Sequence, residues 1–579
     1  MKRIISLFLV LLMLFGAMAT LASCASKDNG AHIEVYLGEM LYDFDPSEYY
    51  VNSNQEQFMS LLYEPLFYVN SKGKVKKSAA KDYEIDEENR TITIELRETY
   101  WSDNKRVCAA DYVYAWRRIL DPNTANPAAA LFYDIENAVS VKMGVGGYSV
   151  YDLGISAPKT YTLEIKYVEN ADVDRLLKNL SSVCAAPLRQ DVVTQASAYW
   201  SKMVNMMVFN GPFAISEYDL DSGRITLQRN VGYHQKLDEK NYTDEVTPGN
   251  IAATFTLYGE EVAVTYADIE NKVKFYMGDA SLADRKDNKK KATTVADTST
   301  YSYVFNTTNP LFASAEVRRA LSLAIDREAI VSAITFGKAA NGFIPDAFGG
   351  SDDDLISAKA NLDAANELLR SVVFTPEMNK AFTLTVENTE RAKAIAELVK
   401  AAWESLDVGF TVTIEYIGAV ESTATDAIVT DSAMQVLVKE AVHGIRNFDV
   451  IGIDWQFYSD DAAFNGLASL TSSLGGYGVD YATGKDRYNI SAWNDTAYNY
   501  IVNKAYNADD EDDREDALED AEEYLVNAMP VIPLVFNETF AFVSSDLKNV
   551  EFSPFGNVIF TEAKLKNYEK YLPKQEQED

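Results

Sequence analysis

Three cysteines and three histidines are the scarcest reactive groups in this 579-residue chain, and their spacing limits what they can do. His32, His234 and His443 lie far apart, and none stands at a spacing that sets two ligands on one metal. Cys108 and Cys184 each sit among apolar neighbours, Val107 and Ala109 for one and Val183 and Ala185 for the other. They read as buried thiols ahead of a disulfide. No P-loop, HExxH zinc signature, Gly-x-Ser-x-Gly elbow or dinucleotide glycine fingerprint occurs. Asp and Glu together number 87, so naming any two as general acid and base would be arbitrary. The chain therefore reads as a binding protein and not an enzyme, with no metal and no cofactor expected.

Cys24 differs because of what precedes it. Lys2 and Arg3 give a basic start, Ile4 to Met18 is an almost unbroken apolar run, and Leu21-Ala22-Ser23 leads into the cysteine. This is the pattern of a secretory signal over residues 1–23. The run is too short and too close to the N-terminus for a permanent span. Leu-Ala-Ser-Cys resembles a bacterial lipobox. That resemblance implies a diacylglyceryl group on the Cys24 thiol and cleavage just before it; the plain alternative is an ordinary signal with a chance cysteine. Residues 24–31 read as a polar tether. The mature chain is expected outside the cytoplasm, anchored to the cell membrane by lipidated Cys24, and two acyl chains suffice for firm anchoring.

The elements that must position any site are those of a large globular body. Hydrophobic residues make up 47% and aromatics 12%, with 35 tyrosines, and the length calls for two or three lobes. The formal charge of −34 repels nucleic acid and anionic headgroups, so neither is an expected partner. Alternation predicts strands from His32, over 84–97 as a hairpin, and over 160–167, 224–229 and 411–416. The 3.6-residue period predicts helices over 54–66, 109–120, from Ser314, and over 360–369, 390–406 and 509–529. The Asp/Glu run of the last is expected to be a solvated face. The basic stretch 285–291 reads as a surface loop. Mixed strands and helices without a βαβ rhythm point to α/β lobes with mixed sheets.

A series of short motifs then carries a resemblance to a known family. It begins with Tyr63-Glu64-Pro65-Leu66-Phe67. The longest block is Ile94-Glu95-Leu96-Arg97, Trp101-Ser102-Asp103-Asn104, Val107-Cys108-Ala109-Ala110-Asp111-Tyr112-Val113 and Trp116-Arg117-Arg118-Ile119-Leu120-Asp121-Pro122. Asn210-Gly211-Pro212-Phe213, Tyr303-Val304-Phe305-Asn306, Phe448-Asp449-Val450, Asp454-Trp455 and Pro530-Val531-Ile532-Pro533 follow in order. Together they resemble the extracytoplasmic solute-binding proteins of peptide ABC importers, the oligopeptide/dipeptide-binding type (solute-binding protein family 5). The block also has a structural reading: Asp103-Asn104 supplies a turn that tolerates left-handed backbone, and Asp111 lies near a helix N-terminus.

The resemblance implies an α/β, two-lobed periplasmic-binding-protein-like fold with hinge strands and an extra inserted N-terminal subdomain. It implies lobe I from 32–62, 189–300 and 535–579, the insert over 63–188, and lobe II over 301–534. An oligopeptide or other small solute is the expected ligand, ABC permease subunits the expected membrane partner, and the receptor itself a monomer. Carried over by position, the loop Tyr50-Val51-Asn52 touches ligand backbone, Tyr133 lies at the insert's edge, Tyr276 lines the cleft, and Trp455-Gln456 pairs with an extended ligand. Two departures follow. Peptide binders place an aspartate just after the tryptophan to hold the α-amino group, whereas here Phe457 or Tyr458 takes that place, with Asp460 and Asp461 the nearby carboxylates. An arginine shortly before the tryptophan is also missing from Val450–Asp454, and Arg446 is the nearest substitute. An oligosaccharide ligand, or a peptide-sensing role, stays open as the alternative.

Overall fold

A computed structural model of the chain describes residues 32–47, 53–233, 250–256, 265–271, 273–278, 291–334, 337–345, 348–350, 354–424, 427–442, 448–457, 461–476, 479–480, 485–486, 489–554, 558–559 and 563–571. β1 (His32–Glu39) opens the main sheet, and α1 (Ser53–Leu62) follows. The helix stops short of the expected Leu66 because Pro65 disfavours helical backbone at Glu64.

The chain then leaves the main sheet. β2 (Ala80–Asp86), β3 (Thr91–Leu96), β4 (Ile155–Lys159) and β5 (Thr162–Lys166) form a separate antiparallel sheet in the order β2–β3–β5–β4. Against it lies α2 (Ala109–Leu120), which buries Ala109, Tyr112, Val113, Trp116, Ile119 and Leu120 on one stripe. The Asp111 carboxylate fixes the start of α2, accepting from the Cys108 N–H at 3.0 Å and from Trp101 Nε1 at 3.2 Å. The helix ends at Leu120, before Asp121-Pro122, as the proline requires. Asn104 has φ +65°, the left-handed turn its side chain tolerates. Cys108 and Cys184 are both free thiols, but only Cys184 is buried. Cys108 caps α2, half-exposed, and burial and the Asp111 charge push its pKa up to about 11. α3 (Val173–Asn179), capped by Asp172, completes this insert.

The chain returns through β6 (Phe213–Asp219), β7 (Arg224–Arg229), β8 (Asn250–Thr256), β9 (Val273–Gly278) and the 13-residue β10 (Thr293–Phe305). Then come α4 (Ala315–Leu323), α5 (Leu362–Ser371), β11 (Ala381–Glu387), α6 (Glu390–Glu404) and β12 (Thr411–Ile417). A hairpin of β13 (Val420–Ala424) and β14 (Ala427–Asp431) leads to α7 (Ala433–Val442) and β15 (Val450–Gln456). α8 (Ala462–Ala468), α9 (Thr496–Tyr506) and α10 (Glu511–Ala528) precede the second 13-residue strand, β16 (Val531–Val543).

The main sheet runs β12–β11–β15–β10–β16–β9–β1–β8–β7–β6, with the short strand Lys338–Ala339 also on β16. β8, β1 and β9 are parallel in one half, and β12, β11 and β15 are parallel in the other. β10 and β16 are antiparallel to each other and run through both halves. Alternation along β15 sorts the packing of lobe II. Val450 belongs to one core with Trp403 and Val399 of α6 and Leu321 of α4, while Ile451, Ile453 and Trp455 belong to another with Phe464 of α8, Tyr498 of α9 and Leu525 of α10. The second of these cores is continuous with that of β1 and the insert. The acidic helix predicted over 509–529 is α10, and its polar face is not wholly solvated. Arg514 is 5% exposed and Glu522 2%, and the Glu522 carboxylate accepts from the N–H groups of Phe343 and Ile344.

Candidate functional site

Parallel strands of an open sheet bind ligands beyond their carboxyl ends. Here those ends converge. β9 finishes with Gly278 beside Phe540, and β15 finishes with Gln456 beside Ser299. Between them lies the short stretch where β10 and β16 pass from one lobe to the other. Pairing there jumps from Ala296↔Glu538 to Thr300↔Phe536, so three residues of β10 bulge against Asn537 alone. The Asn537 amide nitrogen donates to Ser299 Oγ at 2.6 Å and to Asp454 Oδ1 at 2.7 Å, and its oxygen accepts from Arg391. Arg391 belongs to the first turn of α6, just past the end of β11, and lies 5.2 Å over the Tyr301 ring. Asp454 and Arg391 keep about a quarter of their side-chain surface open, 30% and 23%. They are a charged pair on the rim of the cleft.

β1 ends on the same cleft. The loop behind it, residues 40–47, is buried throughout despite carrying two aspartates. Asp45 accepts from the Ser47 N–H and hydroxyl and lies 2.5 Å from Arg118 of α2. Asn126 and Arg118 both donate to the Ser47 hydroxyl. Lys202 lies 3.5 Å from Asp43 and also pairs with Asp431 at the end of β14, which ties lobe I to lobe II. Burial, with the Asp45 and Asp43 charges behind it, holds the Tyr63 hydroxyl far above its ordinary pKa.

The insert meets lobe II along a seam. Asn126 N–H donates to the Gly476 carbonyl at 2.9 Å, and Tyr133 Oη donates to the Leu474 carbonyl at 3.0 Å. Tyr506 Oη donates back to the Tyr133 carbonyl at 2.9 Å. These contacts join the insert and lobe I to lobe II.

The expected site residues are distributed unevenly over this geometry. Tyr50, Val51, Asn52, Tyr458 and Asp460 lie outside the described residues, as do Cys24, Arg446, His234, His443 and nearly all of the basic stretch. The structure brings Tyr133 and Asp461 together at the seam, both against partners of the opposite subdomain, and leaves Trp455-Gln456 at the end of β15. Trp455 packs edge-on against Phe343, with 7% exposure. β10 accompanies β15 along its whole length, whereas β11 pairs only with Val450 and Ile451.

Two placements correct the expectation. Tyr276, expected on the cleft wall, is 1% exposed and stacked on Tyr36 at 4.7 Å, because β9 turns that face toward Phe540 and Phe542. It backs the wall and does not line it. Asp461, expected near a ligand amine, has its carboxylate 2.5 Å from Arg514 and 3.8 Å from Arg175. Phe457, one of two residues at the aligned amine position, is fully buried against Phe343. Sequence reading missed Arg391, Asp454 and Asn537. Asp454 lies near the carboxyl end of β15 and Arg391 just past that of β11, where an α/β sheet binds, but neither strand was among those the alternation predicted. A separate recess of about 390 Å³, lined by Thr308, Glu377, Thr383, Glu415 and Asp449, lies at the amino ends of β11 and β15, opposite the cleft.

Comparison with known proteins agrees with this architecture. A family model described as bacterial extracellular solute-binding proteins, family 5 Middle, matches residues 74–474. The chain is 25% identical over 532 residues to the dipeptide-binding protein DppE of Bacillus subtilis (strain 168), covering 89% of this chain and 88% of the relative. It superposes on the pheromone receptor PrgZ, a structure described with its mode of peptide binding, with a TM-score of 0.75 at 20% identity, over 93% of this chain and 100% of that one. On the Escherichia coli murein tripeptide binding protein MppA the TM-score is 0.73 at 21% identity, over 93% and 98%. The two-lobed periplasmic-binding-protein-like fold with its inserted subdomain is thus established, and since the family model spans well over half of its length, the chain belongs to the bacterial extracellular solute-binding proteins of family 5.

Proposed function

We propose that this chain is the receptor of an ABC importer that captures short peptides in its interlobe cleft and delivers them to a membrane permease, held at the membrane by lipidated Cys24. The observation that supports this best is the convergence of parallel strand ends from two lobes on a pair of crossing strands, in a member of a solute-binding family whose similar proteins are named for dipeptides and a murein tripeptide. Closure then follows the hinge motion open to two lobes joined by two strands. An extended ligand would lie along the β11 side of β15, by strand addition near Trp455-Gln456. Arg391 and Asp454 would read the charged ends of the ligand.

The test is a thermal-shift screen of the soluble domain, with Cys24 removed. A pool of short peptides should raise Tm, because a ligand that binds only the folded, closed form stabilises it by about 2.7 kcal/mol at a hundred times its Kd. No shift with peptides alongside a shift with a sugar panel would overturn the peptide reading. That second reading has its own support: the aligned amine position holds no aspartate but Phe457, which is buried, or Tyr458, and Asp461 lies against arginines.

A further inference from the structure

Where α3 meets α10 across the seam, four charged side chains pack together with little access to water. Asp134 and Arg175 come from the insert, with 9% and 16% of their side-chain surface exposed. Asp461 and Arg514 come from lobe II, with 10% and 6%. Arg175 donates to both Asp134 oxygens at 3.2 to 3.3 Å, and Arg514 donates to Asp461 at 2.5 Å. Arg175 Nε lies 3.8 Å from the second Asp461 oxygen. Each side therefore carries a neutral acid–base pair of its own, and closure lays one pair on the other. Among the described residues, Asp172 at the start of α3, Glu511 of α10 at 4.0 Å from Arg175, and Tyr506 of α9 also act on the Asp134–Arg175 side of this cluster. The Phe464 ring lies under Arg514 at 4.9 Å.

Opening the cleft pulls these pairs apart and lets water reach both carboxylates. Closing takes that water away. Two effects then compete: lost hydration disfavours the charged carboxylate, and the arginines favour it. Burial wins at both acids. It pushes the Asp461 pKa from an ordinary 3.8 up to about 6 against the pull of Arg514 and Arg175, and raises that of Asp134 as well. We propose that this seam makes cleft closure proton-linked, Asp461 taking up a proton as the insert docks on lobe II, so that a falling pH favours the closed receptor.

The sign follows from linkage. The closed form, with the higher pKa, binds the proton more tightly than the open form. The ratio of closed to open therefore grows as pH falls below about 6 and levels off once the open form titrates too. From about pH 7.5 to about pH 5 the ratio should rise about tenfold. Small-angle X-ray scattering of the ligand-free mature chain reads this directly, and needs no assumption about the ligand. The radius of gyration should shrink as pH falls through that range at constant ionic strength. Asp461→Asn, permanently neutral, should be more closed at neutral pH and lose most of the response. Arg175→Met, which removes the cation that reaches across, should move the response to higher pH. A wild-type radius that is flat with pH overturns the proposal, as does an Asp461→Asn chain that titrates like the wild type. If Asp461→Asn does not fold, an unshifted Arg175→Met profile is the overturning result. Failure of the peptide screen leaves this measurement untouched.

Discussion

At the scale of single residues, Asn537 does most with least. One side chain serves Ser299 on β10, Asp454 on β15 and Arg391 on α6, at the point where the crossing strands bulge. An amide suits this place because it donates to two oxygens while accepting from a guanidinium. Asn537→Ala removes both functions in a part-buried setting and should cost about 1–3 kcal/mol of stability. Urea unfolding at neutral pH measures it. A variant as stable as the wild type would mean that water fills the role, and that the bulge is set by backbone pairing alone. Asn537→Asp should be worse, since it places a second carboxylate beside Asp454 and loses the donor.

At the scale of elements, the seam between the insert and lobe II depends on how closely two backbones approach. Gly476 has φ +75°, and a Cβ there would overlap the Asn126 carbonyl oxygen across the seam. Gly476→Ala therefore acts against the closed form, beyond the cost of about 1 kcal/mol for left-handed backbone in either form. Peptide affinity should fall about tenfold or more, an overlap worth about 1.4 kcal/mol sufficing for each factor of ten. Titration calorimetry with a peptide from the screen checks this; unchanged affinity would mean that the seam opens slightly at no cost. Elements differ in how plainly sequence announces them, and the seam shows why. α2 was legible because its stripe of apolar residues, its Asp111 start and its Asp121-Pro122 stop are all local. β10 was not, since Thr293 to Ser299 is polar and becomes a strand only by pairing with β16, more than two hundred residues later. The contacts of Arg175 with Asp461 and of Tyr133 with Leu474 join residues about three hundred positions apart, and no local pattern encodes them. Asp461 was thus read as a ligand carboxylate from its place after Trp455, when its partners come from α3 and α10.

At the scale of the whole molecule, charge is the property that reaches furthest. The formal charge is −34, and the first turns of α10 put Glu511, Asp512 and Asp513, all exposed, next to the seam that closes the cleft. A body this acidic attracts cationic solutes over a Debye length and repels anionic ones. If peptides are the cargo, lysine-bearing tripeptides should associate faster than glutamate-bearing ones at low salt, by about tenfold or more. Raising the salt to about 0.5 M should remove most of that difference and leave dissociation rates nearly unchanged, because screening acts on the approach and hardly on contacts inside a closed cleft. Stopped-flow tryptophan fluorescence, with Trp455 at the end of β15 as a reporter, separates the two rates. A preference that survives high salt, or that resides in dissociation, would place discrimination on local groups such as Arg391 and Asp454 in place of the overall field.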